Sequence, residues 1–291
     1  MNLSKEDIEN LLKWNEAGLI PGPNENFTGF SKRAEFCLSI RDHLPELPPF
    51  DPLENKLIEE TALSSQFLYG MHPAWVPIFF SNHSLFPWDG AFSLIFQLKE
   101  ESPDSAFIQL RKKLKEQTSY LGYSRKELVL HELSHIGRME FDEPEFEEML
   151  AWRSSNSSFR RNFGPIFSSQ KESATLGILL LLTITFDVLA FFSSEYAYIS
   201  LSLYLKAIPF LFFLFLLFKL FLKRRKFSNA LFRLKQFFKS EEKANAVIYR
   251  LRDDEIRLAS RLNEKELVRF MEELKEKDLR GFLITEAYPS I

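Results

Sequence analysis

Two long apolar runs dominate the pattern of hydrophobic and polar positions. Residues 174–192, "ATLGILLLLTITFDVLAFF", and 199–222, "ISLSLYLKAIPFLFFLFLLFKLFL", are each long enough to cross about 30 Å of hydrocarbon. Only "SSEYAY" separates them, so a tight antiparallel helical hairpin is predicted over 173–222. Both runs are apolar on all sides and the second ends in "KRRK", which points to a bilayer rather than a globular core as their surroundings. Arg153, Arg160, Arg161 and Lys171 precede the first run and Lys223, Arg224, Arg225 and Lys226 follow the second, while the turn carries Glu195. The positive-inside rule then predicts an integral membrane protein of two spans with its N- and C-termini cytoplasmic. Asp187 and Lys206 stand inside the runs at comparable depth, placed to pair across the hairpin and offset the cost of burying each charge.

The flanking segments are patterned differently. Residues 1–172 mix helix and strand signals: a helix over 5–16, a Pro-rich coil "HLPELPPFDP", and a helix near 53–65. Strands are predicted at "AWVPIFFS" (74–81) and "AFSLIFQL" (91–98), with a third in "AFIQL". Ser124 with Glu127 three residues on is a capping-box signature for a helix over 125–139, whose end Gly137 weakens. Pro144 suits the first turn of a further helix through 153. Beyond the hairpin, "DDEIRLASRL" and "NEKELVRFMEELKEK", the latter capped by Asn263 and Glu266, predict short amphipathic helices suited to packing or to a protein partner. The expected architecture is an α+β soluble domain at 1–172 (a small sheet plus a helix pair), a two-helix transmembrane hairpin at 173–222, and an α-helical cytoplasmic tail at 223–291.

Composition narrows the function classes. A net charge of −3 over 291 residues gives no footing for a nucleic-acid partner. The single cysteine, Cys37, excludes an internal disulfide and fits a reducing compartment. The opening "MNLSKEDIENLLKWNEAG" has no basic region followed by an apolar one, so it does not read as a secretory signal, and the three Asn-x-Ser/Thr matches are expected to be incidental.

Candidate chemistry is concentrated in "HELSHIGRMEFDEPEFEEMLAW", residues 131–152. This is an HExxH pattern. In a helix His131 and His135 project from one face, one turn apart, and can reach a single metal ion, with Glu132 about 100° round the helix. Zinc lowers the pKa of a coordinated water, and a glutamate so placed can accept its proton as general base. A third ligand is needed. Glu145, Glu147 and Glu148 fall in the next predicted helix; Glu148 is favoured because Ala151, one turn on, allows close helix approach, and Glu147 is the alternative. The apolar flanks in "LVLHELSHI" suit a buried metal helix.

His131, Glu132 and His135, with Glu148-x-x-Ala151, resemble the zinc-dependent metallopeptidases of the HExxH plus glutamate class. The resemblance implies an edge strand before the first helix that binds the substrate backbone, a place "AFSLIFQL" can fill. More narrowly, "AWVPIFFSNHSLFPWDGAFSLIF", "GYSRKELVLHELSHIGRMEFDEPEFEEMLAW" and "SSFRRNFGPIF" resemble membrane-anchored proteins of chlamydia-like intracellular bacteria, a likeness that brings no activity with it. The chain departs from the metallopeptidase pattern in two ways. The second glutamate follows the histidines by only 13 residues, and Trp152 stands where an Asp often follows the Ala.

His72 and His83 are candidates for a further donor at the site, Asp89 a weak catalytic candidate in a turn, and Tyr123 is expected to point away. "FRRNFGPIF" (159–167) reads as a segment lying on anionic headgroups. The leading expectation is a membrane-anchored zinc metallopeptidase acting on a peptide or protein substrate. One rival is a two-span scaffold or host-interaction protein, resembling inclusion-membrane proteins, with a structural or absent metal site; another is a zinc enzyme acting on a non-peptide amide. Glu132 discriminates, because a structural site has no need of a base beside its histidines.

Overall fold

The computed structural model describes residues 3–43, 52–100, 102–193 and 196–289. Most of the Pro-rich coil (44–51) and Glu195 of the hairpin turn lie outside them. Four helices open the chain: α1 (Lys5–Glu16), α2 (Phe27–Leu38), α3 (Ile40–His43) and α4 (Pro52–Tyr69). Strands β1 (Ile78–Phe80), β2 (Ala91–Phe96) and β3 (Ser105–Leu110) form a sheet, and β4 (Ser119–Tyr120) and β5 (Tyr123–Ser124) a small hairpin. Then come α5 (Arg125–Ile136), α6 (Glu147–Ala151) and α7 (Ser158–Phe163). The long α8 (Gln170–Ser193) and α9 (Tyr196–Phe238) follow, and α10 (Glu241–Arg250), α11 (Asp253–Ala259), α12 (Glu264–Lys277) and α13 (Leu279–Ala287) close the chain. The result is mostly helical with a small sheet, compatible with the α+β layout expected.

The sheet order is β1-β3-β2, with β1 parallel and β2 antiparallel to β3. Central β3 is buried through Ala106, Ile108 and Leu110, whereas β2, on the edge, leaves Phe92, Leu94 and Ile95 exposed. Ser93 of β2 stands opposite Ile108 in the antiparallel register. This half-covered edge lies beside α5, where Gly90 leaves room for the Leu128 side chain.

α8 and α9 are long and apolar enough to cross a membrane, with most of their apolar side chains facing outward. Asp187 and Lys206 pair at 3.1 Å, as their depths predict, and Ser202 also donates to Asp187. α9 does not stop where the apolar run ends at 222. Phe227, Ala230, Leu234 and Phe238 recur at helical spacing and are buried, so the helix runs on as an amphipathic one into the interior beyond.

Residues 223–291, which the sequence sets apart as a tail, share two cores with the N-terminal residues. One gathers Tyr69, Met71, Phe146 and Leu150 around Val247, Ile248, Tyr249, Ile256 and Ile284. The other joins Leu11, Trp14, Phe30, Ile108, Val129 and Leu133 to Leu279 and Leu283 of α13. Buried arginines hold the seam. Arg250 donates to the carbonyls of Tyr69 (2.6 Å) and Gly70 (3.1 Å) and to Asn15 Oδ1 (2.7 Å), and Arg280 donates to the carbonyl of Arg250 and to Glu255, both at 2.8 Å.

Burial alone would raise the Glu255 carboxyl, but Arg280, the Arg252 N–H and Lys277 outweigh it and hold it below its ordinary range. A depressed carboxylate adds stability above its unfolded pKa and loses it as pH falls through the folded value. Glu255→Gln is therefore expected to destabilise the protein by about 1.5–3 kcal/mol at pH 7, since it removes one of the two carboxylates that meet the buried Arg280 guanidinium. Denaturant titrations in detergent should show the gap to the parent closing as pH falls below the ordinary carboxyl value of 4.5. An equal gap at pH 7 and in strong acid contradicts this.

Candidate metal centre

α5 is built to bury one face and show another. Ser124 caps it, accepting from the Glu127 N–H at 3.1 Å, and Val129, Leu130, Leu133 and Ile136 fill the interior. Glu127 does not complete the expected capping box. Its carboxylate instead takes a two-pronged bond from Arg160, at 2.8 Å for each nitrogen, and the Ser155 hydroxyl. The helix ends at Ile136 rather than Met139.

On the opposite face His131 and His135 bring their Nε2 atoms to 3.4 Å. α6 faces them: Glu148 Oε1 lies 3.7 Å from His135 Nε2 and Oε2 3.9 Å from His131 Nε2. One ligand atom from each of the three residues falls within 4.8 Å of the others. Glu147, the alternative ligand, takes a different position. Its Oε1 lies 2.7 Å from His135 Nδ1, an arrangement that turns His135 Nε2 towards His131 and Glu148. Glu145 is turned away to Arg257 (2.8 Å) and Lys226 (3.6 Å).

The charges around this group are unbalanced. Burial, and then His135, push the His131 imidazole down to about 3. Burial also acts to lower His135, but the Glu147 hydrogen bond and the charges of Glu132, Glu148 and Glu147 raise it to about 9. Burial raises both Glu132 and Glu148, with His135 acting against it in each case. Glu132 is 8% exposed, and hydrogen bonds from Ser93 on β2 support its charged form. Three carboxylates thus crowd two imidazoles in a partly buried setting, and His131 Nδ1 has no hydrogen-bond partner.

A cation in their midst would relieve the crowding, and the donor set fits zinc. Tetrahedral zinc with ligands at about 2.0–2.1 Å spaces its donor atoms about 3.3–3.4 Å apart. The two Nε2 atoms already stand at that distance. Glu148 Oε1 and Oε2, each nearest a different imidazole, lie about half an ångström beyond it.

Several residues behind the site carry no sequence signal. The Tyr249 hydroxyl donates to the carbonyl of Ser134 at 2.7 Å, satisfying a group in the last turn of α5 that has no helical partner. Gly137 makes that approach possible, because a Cβ there would lie 2.3 Å from the Tyr249 oxygen. Arg138 donates to the carbonyls of Tyr249 and Leu251, the latter at 3.0 Å. Trp152 packs on the His131 ring at 4.7 Å and hydrogen-bonds Glu148. Tyr123, expected to point away, packs on the other partner of that contact: it lies 6.0 Å from Trp152, with Arg160 over its ring.

The α6 helix begins later than Pro144 suggests. Asp253 of α11 accepts from the N–H groups of Glu145 (2.6 Å) and Phe146 (3.2 Å), so the first turn is held from the far end of the chain and the helix starts at Glu147. His72 and His83 are exposed and line no part of the cavity at Glu148. Asp89 accepts from the Phe86 N–H in its own turn, and its charge adds to the raising of Glu132. That cavity, about 420 Å³, runs from Glu147, Glu148 and Trp152 to Ser168, Ser169 and Ser173 at the start of α8. In the 159–167 segment the aromatic side chains of Phe159 and Phe163 are exposed, while Arg160 is spent on Glu127 and Arg161 on the carbonyl of Ser155.

No family model, curated protein or solved structure matches the chain.

Tyr249→Phe leaves the Ser134 carbonyl buried without its donor and is expected to destabilise the protein by about 1–3 kcal/mol. Denaturation in detergent checks this; an unchanged midpoint would show that the contact contributes nothing.

Proposed function

We propose that the chain is a membrane-anchored zinc-dependent metallopeptidase, with α8 and α9 as its membrane spans and both termini on the cytoplasmic side. The observation that carries the reading is the convergence of His131, His135 and Glu148 on one point, with Glu132 buried beside it. His131 and His135 would hold the ion through Nε2 and Glu148 through its carboxylate, with Glu147 orienting His135. Zinc there supplies Lewis-acid polarisation of a peptide carbonyl and of water.

The chain's own residues account for the rest. Glu132 takes a proton from the attacking water and passes it to the leaving amine. Its burial favours this, because a carboxyl raised towards neutrality can both accept and release a proton. Hydrogen bonding from Ser93 on the edge strand supports the charged form that accepts the proton. The exposed edge of β2, to which Ser93 belongs, offers unpaired backbone groups to an extended peptide lying beside α5. The basic residues before α8 and at 223–226 favour the cytoplasmic placement of both ends.

The test is zinc content by elemental analysis, coupled to hydrolysis of a quenched-fluorescent peptide library. One zinc per chain is expected in the parent and in Glu132→Gln, and less than about a tenth of that in His131→Ala and Glu148→Ala. Glu132→Gln should lower hydrolysis by about 10²–10⁴-fold, the usual contribution of a general base. Full zinc in His131→Ala would refute the ligand set, and undiminished hydrolysis by Glu132→Gln would refute its role.

A further inference from the structure

We propose that the cavity of about 670 Å³ between the lower part of α9, the start of α8 and the turn before α6 binds the headgroup phosphate of an anionic phospholipid, with Lys223 as its principal contact. The inference rests on the membrane-spanning reading of α8 and α9 but not on the metal centre.

The floor of the cavity is apolar and continuous with the outer surface of α9. Phe215, Phe218 and Leu222 line it and are 57%, 61% and 39% exposed. Their side chains lie where the apolar run gives way to "KRRK", at the depth where acyl chains meet headgroups.

The wall is charged, and its charges can be accounted for pair by pair. Glu172 is taken by Lys219 and by the Ser168 N–H. Glu145 is taken by Arg257 and Lys226. Glu143 accepts from Arg252 at 3.1 Å and from the Asp253 N–H at 3.0 Å, and Asp253 accepts from the two N–H groups before α6. Each lining carboxylate is therefore satisfied. Lys223 is the exception among the cations: among the described residues no carboxylate lies within 4.0 Å of its ammonium, which donates to the Ser168 hydroxyl. Its residue is only 6% exposed.

An ammonium has three donors, and a buried one needs an anion or several acceptors. A phosphate diester supplies both, and because each lining carboxylate already has its partners, the Lys223 ammonium is the cation left to meet it. The apolar floor selects a lipid over free phosphate, because headgroup and acyl chain are then held by one continuous surface. The cavity also shares Pro144, Ser168 and Ser169 with the cavity at Glu148, so a bound lipid would lie next to the metal centre.

The experiment uses the full chain in nanodiscs of phosphatidylcholine and phosphatidylglycerol, with retained lipids counted by native mass spectrometry. The parent is expected to retain phosphatidylglycerol in preference to phosphatidylcholine, and Lys223→Met to hold it about fivefold more weakly, equivalent to about 1 kcal/mol. Lys223→Arg should keep the parent's preference, as should Lys275→Gln, which removes a cation elsewhere. A Phe218→Trp reporter in the Lys223 background gives a second readout, with dibrominated phosphatidylglycerol expected to quench it at lower mole fraction than dibrominated phosphatidylcholine. No preference in the parent, equal retention by Lys223→Met, or equal quenching by the two lipids would overturn the site. Saturation by inorganic phosphate in phosphatidylcholine alone, abolished by Lys223→Met, would overturn the lipid in favour of a soluble anion. Release of the protein from membranes by alkaline carbonate would overturn the spanning reading and this site together, whereas insertion without the preference overturns the site alone.

Discussion

A twelve-residue helix that is buried on most sides must find partners for most of the polar groups it carries inward, and α5 carries many. Glu127 is met by Arg160 and Ser155, Glu132 by Ser93, and the Ser134 carbonyl by Tyr249. These partners come from α7 and the turn before it, from the edge strand, and from α10. The requirement to satisfy one helix therefore determines how distant parts of the chain come together. It also fixes the direction in which His131 and His135 point, because rotation of α5 about its axis would break each of these bonds.

The second half of the centre depends on the same economy. α6 is a helix of only five residues, too short to stand on its own propensity. Its start is held by Asp253 and its interior face by Phe146, Met149 and Leu150, so the C-terminal helices decide where Glu147 and Glu148 sit. The division of labour between these adjacent carboxylates follows from helix geometry. Neighbours about 100° apart cannot reach the same point equally, and one meets the Nε2 side of the imidazoles while the other meets His135 Nδ1. Because α9 runs without a break from the apolar hairpin into this interior, the centre is tied mechanically to the helices suited to a bilayer.

Local patterns in the sequence foretold the local elements well. The two apolar runs, the three strands, the Ser124 and Asn263 caps and the Asp187–Lys206 pair are all legible because each depends on residues close in sequence or on one strong hydropathy signal. His131, His135 and Glu148 were legible for the same reason: an i, i+4 pair and a nearby helix define most of the geometry. What escaped depends on contacts across more than a hundred residues. Tyr249 capping Ser134, Asp253 starting α6 and Arg250 tying α10 to Tyr69 leave no periodicity to read. Their absence from the pattern made residues 223–291 look like a separate tail. Gly137 shows the difference most plainly, since its weakening of the helix end was visible but the ring that needs the space was not.

Two imidazoles and one carboxylate of this chain are proposed to form a zinc centre. X-ray absorption at the zinc edge, on zinc-loaded protein purified in detergent, tests it most directly. The expected result is a first shell of four nitrogen and oxygen atoms at about 2.0–2.1 Å, with the outer-shell scattering of two imidazoles. A sulfur at about 2.3 Å, or an oxygen-only shell with no imidazole scattering, would contradict it.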